Sequence, residues 1–89
     1  MDDEAAVQKI VEFIQLYAEK DLPRDLTNDE AKACAEVVWG GVTNHDPDFV
    51  IVQSLWLFMT NRLHMKFNRN ICGPIVTAAL QFSRTRANA

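Results

Sequence analysis

The stretch between Phe49 and Met59 constrains this chain more than any other. It reads FVIVQSLWLFM, apolar at every position except Gln53 and Ser54. A membrane span needs about 20 such residues, and a run of roughly half that length belongs to a buried helix. Asp46-Pro47-Asp48 just before it is a helix-start signal, with aspartate as cap and proline in the first turn. The β-branched cluster Val50-Ile51-Val52 would suit a short strand, but no second strand is evident to pair with it. A helix over about residues 47–67 is therefore expected. On helical spacing Ile51, Val52, Leu55, Trp56, Met59 and Leu63 share one side, whereas Val50, Leu57, Phe58 and Met65 face elsewhere. A helix that is apolar all round lies inside a larger core or in an interface.

Three further helices flank it. Over residues 3–20, Val7, Ile10, Val11, Ile14, Tyr17 and Ala18 follow the spacing of an amphipathic helix. Phe13 widens this stripe and Leu16 stands outside it. Asp2, Asp3 and Glu4 complement the positive end of the helix dipole. Residues 21–26 hold Pro23 and read as a connector. Thr27-Asn28-Asp29-Glu30 is a capping box that starts a helix over residues 28–39, with Ala31, Cys34, Ala35 and Val38 on one face. Gly40-Gly41 reads as its stop, and Trp39 lies off the main stripe. The last helix is expected over residues 71–85, capped by Asn70 or Gly73, with Ile71, Ile75, Ala78, Ala79 and Phe82 on one face. The tail Ala87-Asn88-Ala89 is expected to fray. The fold expected is all-α: one domain over residues 1–89, a small bundle of three to four helices associating through its apolar third helix.

With 89 residues, such a chain buries only about 60–65% of its unfolded surface. Three neighbours then leave part of the third helix bare, and large bare apolar patches mark interaction sites. The partner-binding residues expected are Phe13, Leu16, Leu57, Phe58 and Met65, with Trp39 at the margin. The partner is another protein, and a homodimer is expected as well.

Charge is segregated. All 12 acidic residues lie within residues 1–48, and residues 49–89 carry five cations and no acid: Arg62, Lys66, Arg69, Arg84 and Arg86. This asymmetry opens an alternative, a nucleic-acid-associated protein using those five residues. Against it, the net charge is −3 and the last helix is thin in polar groups for a recognition helix. A structural subunit of a larger assembly is a further alternative.

Catalytic chemistry is not expected. Cys34, His45, His64 and Cys72 match no standard metal spacing, and Gly40-Gly41 lacks the Lys-Ser/Thr of a phosphate loop. No metal site and no cofactor are anticipated. The acidic start, Met1-Asp2-Asp3-Glu4, is unlike a signal peptide, and two cysteines are too few for a secreted disulfide scaffold. A cytoplasmic chain, its cysteines buried as thiols, follows. The function expected is a small non-enzymatic regulatory protein: it binds a larger protein, such as a transcription regulator or an enzyme, through an apolar helical surface, and so blocks or modulates that protein's association as an inhibitor or antiactivator.

Overall fold

A computed structural model describes residues 3–88. The described residues form four α-helices: α1 (Asp3–Tyr17), α2 (Asn28–Thr43), α3 (Asp48–Asn61) and α4 (Cys72–Asn88). Short 3-10 turns at Glu19–Asp21 and Arg69–Ile71 punctuate two of the connections. No strand occurs among the described residues, so Val50, Ile51 and Val52 belong to a helix. The protein is a small all-α bundle. No helix among the described residues is long and apolar enough to cross a membrane.

The start of α2 follows directly from its sequence. Thr27 Oγ1 accepts the Glu30 N–H at 3.1 Å, and the Glu30 carboxylate accepts the Thr27 N–H at 2.9 Å. Arg24 extends this capping box into a clasp. Its guanidinium grips both Glu30 oxygens at 2.8 and 2.9 Å and also donates to the Leu63 carbonyl at 3.1 Å. The α1–α2 connector is thereby tied to the far end of α3. The same contacts, Arg24 above all and then the Thr27 N–H, hold the Glu30 carboxyl at about 2, well below its ordinary value.

Several boundaries differ from expectation, each for a local physical reason. α1 ends at Tyr17, and Glu19–Asp21 is a separate tight turn. α2 runs through Gly40 and Gly41 to Thr43. It stops instead in a Schellman arrangement, the His45 N–H bonding to the Val42 carbonyl and the Asp46 N–H to the Gly41 carbonyl. His45 takes the left-handed position there, with φ 60°. Asp46 does not cap α3, because its carboxylate accepts from Asn44 Nδ2 at 2.8 Å. Pro47 precedes the helix and its carbonyl receives the Val50 and Ile51 N–H groups. α4 begins at Cys72 and runs on to Asn88; Asn68, rather than Asn70 or Gly73, caps the turn that leads into it. Asp2 and Ala89, which figured in the expectations for the two ends, lie outside the described residues.

The largest departure is the end of α3. The chain leaves the helix after Asn61 rather than Phe67 and doubles back along it. Three contacts fasten the returning strand of chain: Met65 N–H to the Met59 carbonyl at 3.1 Å, Trp56 Nε1–H to the Phe67 carbonyl at 3.1 Å, and Arg69 to Gln53 Oε1 at 3.0 Å. His64, at φ 55°, sits at the reversal. As a result α4 starts beside the N-terminal half of α3.

All four helices contribute to one core, with Ile10, Ile14, Val38, Ile51, Leu55, Met59, Met65 and Ile75 fully buried. The accessible surface is 5605 Å², close to the about 5,300 Å² of an ordinary compact monomer of this mass. The chain covers its own core.

Candidate interaction surface

α3 buries Ile51, Leu55 and Met59. Phe49, Gln53 and Leu57, spaced four apart, therefore ride on the opposite side. Phe49 is 70% exposed and Leu57 39%. Between Asp48 and Arg62, α3 carries no charged residue. The side is not free of charge altogether, because the Arg69 guanidinium from the connector lies on Gln53 at 3.0 Å.

Beside Phe49 the surface opens into a groove of about 750 Å³. Its α3 wall is Asp48, Phe49, Val50, Val52, Gln53 and Ser54; its α4 wall is Gly73, Val76 and Thr77; Arg69 closes one side. The groove exists because the connector returns along α3 and delivers α4 next to α3's first turns without filling the angle between them. Asp48 Oδ1 accepts the Phe49 N–H at 2.7 Å, which fixes the carboxylate at the helix start, where it complements the dipole. The groove is thus bordered by one acid, Asp48, and one base, Arg69, with Val50, Val52 and Val76 among its apolar lining.

The expected partner-binding residues do not assemble into one patch. Met65 is 1% exposed, because the doubling back of the connector inserts it into the core. Trp39 is 9% exposed. The continuation of α2 turns it inward, where its Nε1–H reaches Asp3 Oδ1 at 3.3 Å and the Arg86 guanidinium lies 5.5 Å from its ring centre. Both are core residues. Phe13 is half-buried, edge-on to Phe82 at 6.4 Å between centroids. Phe58 is half-buried against the core. Leu16 is 69% exposed at the end of α1, beside the exposed Tyr17. Of the six, Leu57 alone stands on the outer side of α3 with Phe49.

Sequence reasoning missed Phe49 itself. Helical spacing puts Phe49 in one row with Gln53 and Leu57, but only the burial of Ile51, Leu55 and Met59 shows that this row faces outward.

The cations fall into two groups. Arg62, Lys66 and Arg69 line the connector and are exposed, with Arg69 engaged to Gln53. Arg84 is exposed on α4, while Arg86 is stacked between Trp39 and Phe82, 5.5 and 5.7 Å from their centres. Arg86 is thus a packing residue of the α2–α4 corner.

Cys34 and Cys72 are buried free thiols, and burial raises both to about 12. Neither supplies a thiolate near neutral pH. Among the described residues no group of three or more His, Cys, Asp and Glu side chains is placed to hold a metal ion. Comparisons with protein families, with curated proteins and with solved structures yield no match to this chain.

Proposed function

We propose that the chain is a non-enzymatic regulatory protein that binds a larger protein through the outer side of α3 and so blocks or modulates that protein's association. One observation carries this reading: α3, itself uncharged between Asp48 and Arg62, presents Phe49 and Leu57 to solvent next to an open groove. Aromatic and aliphatic anchors on a rigid helix suit helix-in-groove recognition, in which a few buried side chains dominate affinity. The helix is already held by its own core, so little ordering accompanies docking. We place this action in the cytoplasm, where Cys34 and Cys72 stay reduced.

The test is capture from a lysate of the source cells with tagged wild type and with the double variant Phe49→Asp, Leu57→Asp. Nuclease and high salt are present throughout. Expected is one protein retained by the wild type and lost by the variant, with far-UV circular dichroism unchanged. Retention that ignores the double substitution refutes the role of α3. Partners that vanish with nuclease or salt refute the apolar reading and transfer attention to Arg62, Lys66 and Arg69, since phosphate contacts weaken steeply with salt.

A further inference from the structure

We propose that the groove between α3 and α4 is a self-docking site: a second copy of this chain inserts its Phe49 there, and each copy's Asp48 meets the other's Arg69. The inference rests on reading the outer side of α3 as an interaction surface, and it names one occupant of that surface.

Knob and hole lie side by side. The Phe49 ring projects from the same rim that bounds the groove, and no described residue fills the space. Phe49 borders the groove and leaves it open, with most of its ring in solvent. Two copies related by a two-fold axis solve both problems at once, since an isologous contact uses the same patch twice and each ring enters the other's groove.

Charge favours this occupant over a foreign one. An acidic segment in the groove faces Asp48, and a basic one faces Arg69. A second copy brings both signs, and the two-fold sets each opposite its complement. The guanidinium of Arg69 has five N–H donors, and among the described residues it is engaged with Gln53 through Nη1. Asp48 uses Oδ1 for the Phe49 N–H and has its other oxygen to offer. Along the rest of α3 there is no charge to repel a copy of itself.

The patch is small, at the weak end of specific interfaces, which bury below about 1,200 Å² in total. Because each chain closes its own core, dissociation leaves folded monomers. The dimer is therefore a reversible form with a dissociation constant in the micromolar range, and a target that needs the same face competes with it.

Sedimentation equilibrium over roughly 1 µM to 1 mM should show the mass rising from 10.1 kDa toward twice that value. Phe49→Ala removes two buried rings per dimer, each contributing about tenfold or more, so it should weaken association at least about 100-fold. Asp48→Arg and Arg69→Asp should each weaken it roughly tenfold, two like-charge contacts replacing two favourable ones. An equimolar mixture of these two variants restores both pairs and should regain a heterodimer, and the two changes combined in one chain should regain a homodimer. Circular dichroism on every variant separates lost association from lost fold. A mass of 10.1 kDa at all concentrations overturns the proposal, as does a dimer indifferent to Phe49→Ala or charge variants that mixing fails to rescue. A monomer whose lysate capture still depends on Phe49 and Leu57 refutes self-docking alone and leaves the proposed function standing.

Discussion

Gly40 and Gly41 are neighbours in one helix, and replacing each by alanine should change stability in opposite directions. A Cβ built on Gly40 meets nothing within 4 Å, and its backbone is helical. Gly40→Ala therefore gains the helix-propensity difference, about 0.8–1 kcal/mol. A Cβ on Gly41 comes to 2.8 Å from Ile51 Cγ1 and 3.3 Å from Cγ2. Those atoms branch next to the isoleucine backbone, and Ile51 is fully buried in the core, so they have little freedom to withdraw. Overpacking of this kind costs about 1–3 kcal/mol. After the same propensity gain, Gly41→Ala is destabilising by up to about 2 kcal/mol. Urea unfolding followed by far-UV circular dichroism resolves the two, as does thermal unfolding, where 1 kcal/mol moves Tm by about 4–8 °C in a domain of this size. In an Ile51→Ala background both Cγ atoms are gone, so Gly41→Ala should recover its helix benefit, giving a coupling of about 1–3 kcal/mol. If Gly41→Ala proves as stabilising as Gly40→Ala, the close approach of α2 and α3 at this point is refuted.

His45, the Arg24–Glu30 clasp and the two buried cysteines offer further tests. His45 holds φ at 60° where helices usually place glycine, so His45→Gly should stabilise by about 1 kcal/mol, read from the urea midpoint. Glu30 is held at about 2 by Arg24 and the Thr27 N–H, below its ordinary 4.5. Its contribution is complete above about pH 4.5 and fades as pH falls toward 2. Glu30→Gln should lower stability at neutral pH and flatten that acid limb; an unchanged limb contradicts the clasp. Cys34 and Cys72, raised by burial to about 12, should resist alkylation in the native state and label only at the rate of unfolding, and rapid labelling in buffer would show one of them to be accessible.

What could be read in the sequence was what depends on near neighbours. The capping box at Thr27 and Glu30 is complete within four residues, and the α1 stripe needs only the helical period. Gly40-Gly41 reads as a stop in the sequence but is none in the structure, because glycine stops a helix only where the backbone turns left-handed. Here both residues are helical, and Gly41 is small because Ile51, remote in sequence, lies against it. The end of α3 was hidden for a related reason. In residues 62–67 neither proline nor glycine marks the reversal, so nothing local stops the helix there. What turns the chain is the hold that Met59, Trp56 and Gln53 take on residues arriving later. Periodicity likewise shows that α3 is apolar on every side without showing which side is covered. Spacing alone therefore does not separate the buried Met65 and Trp39 from the exposed Phe49. The groove is a product of that reversal and has no local signature at all.

The return of the connector along α3 also bears on how the chain folds. Its three fastenings are nested: Met59 with Met65, then Trp56 with Phe67 eleven positions apart, then Gln53 with Arg69 sixteen apart. Once the innermost is closed, each later one lengthens the loop by only a few residues, and the entropy of closing a loop grows with the logarithm of its length. The segment can therefore zip outward from its hairpin tip, one small step at a time, on a template that is already helical. Contacts this short in sequence favour rapid folding. By the time the last of them forms, the start of α4 has been carried to the head of α3, so the packing of α4 on α3 is reached by a series of local steps.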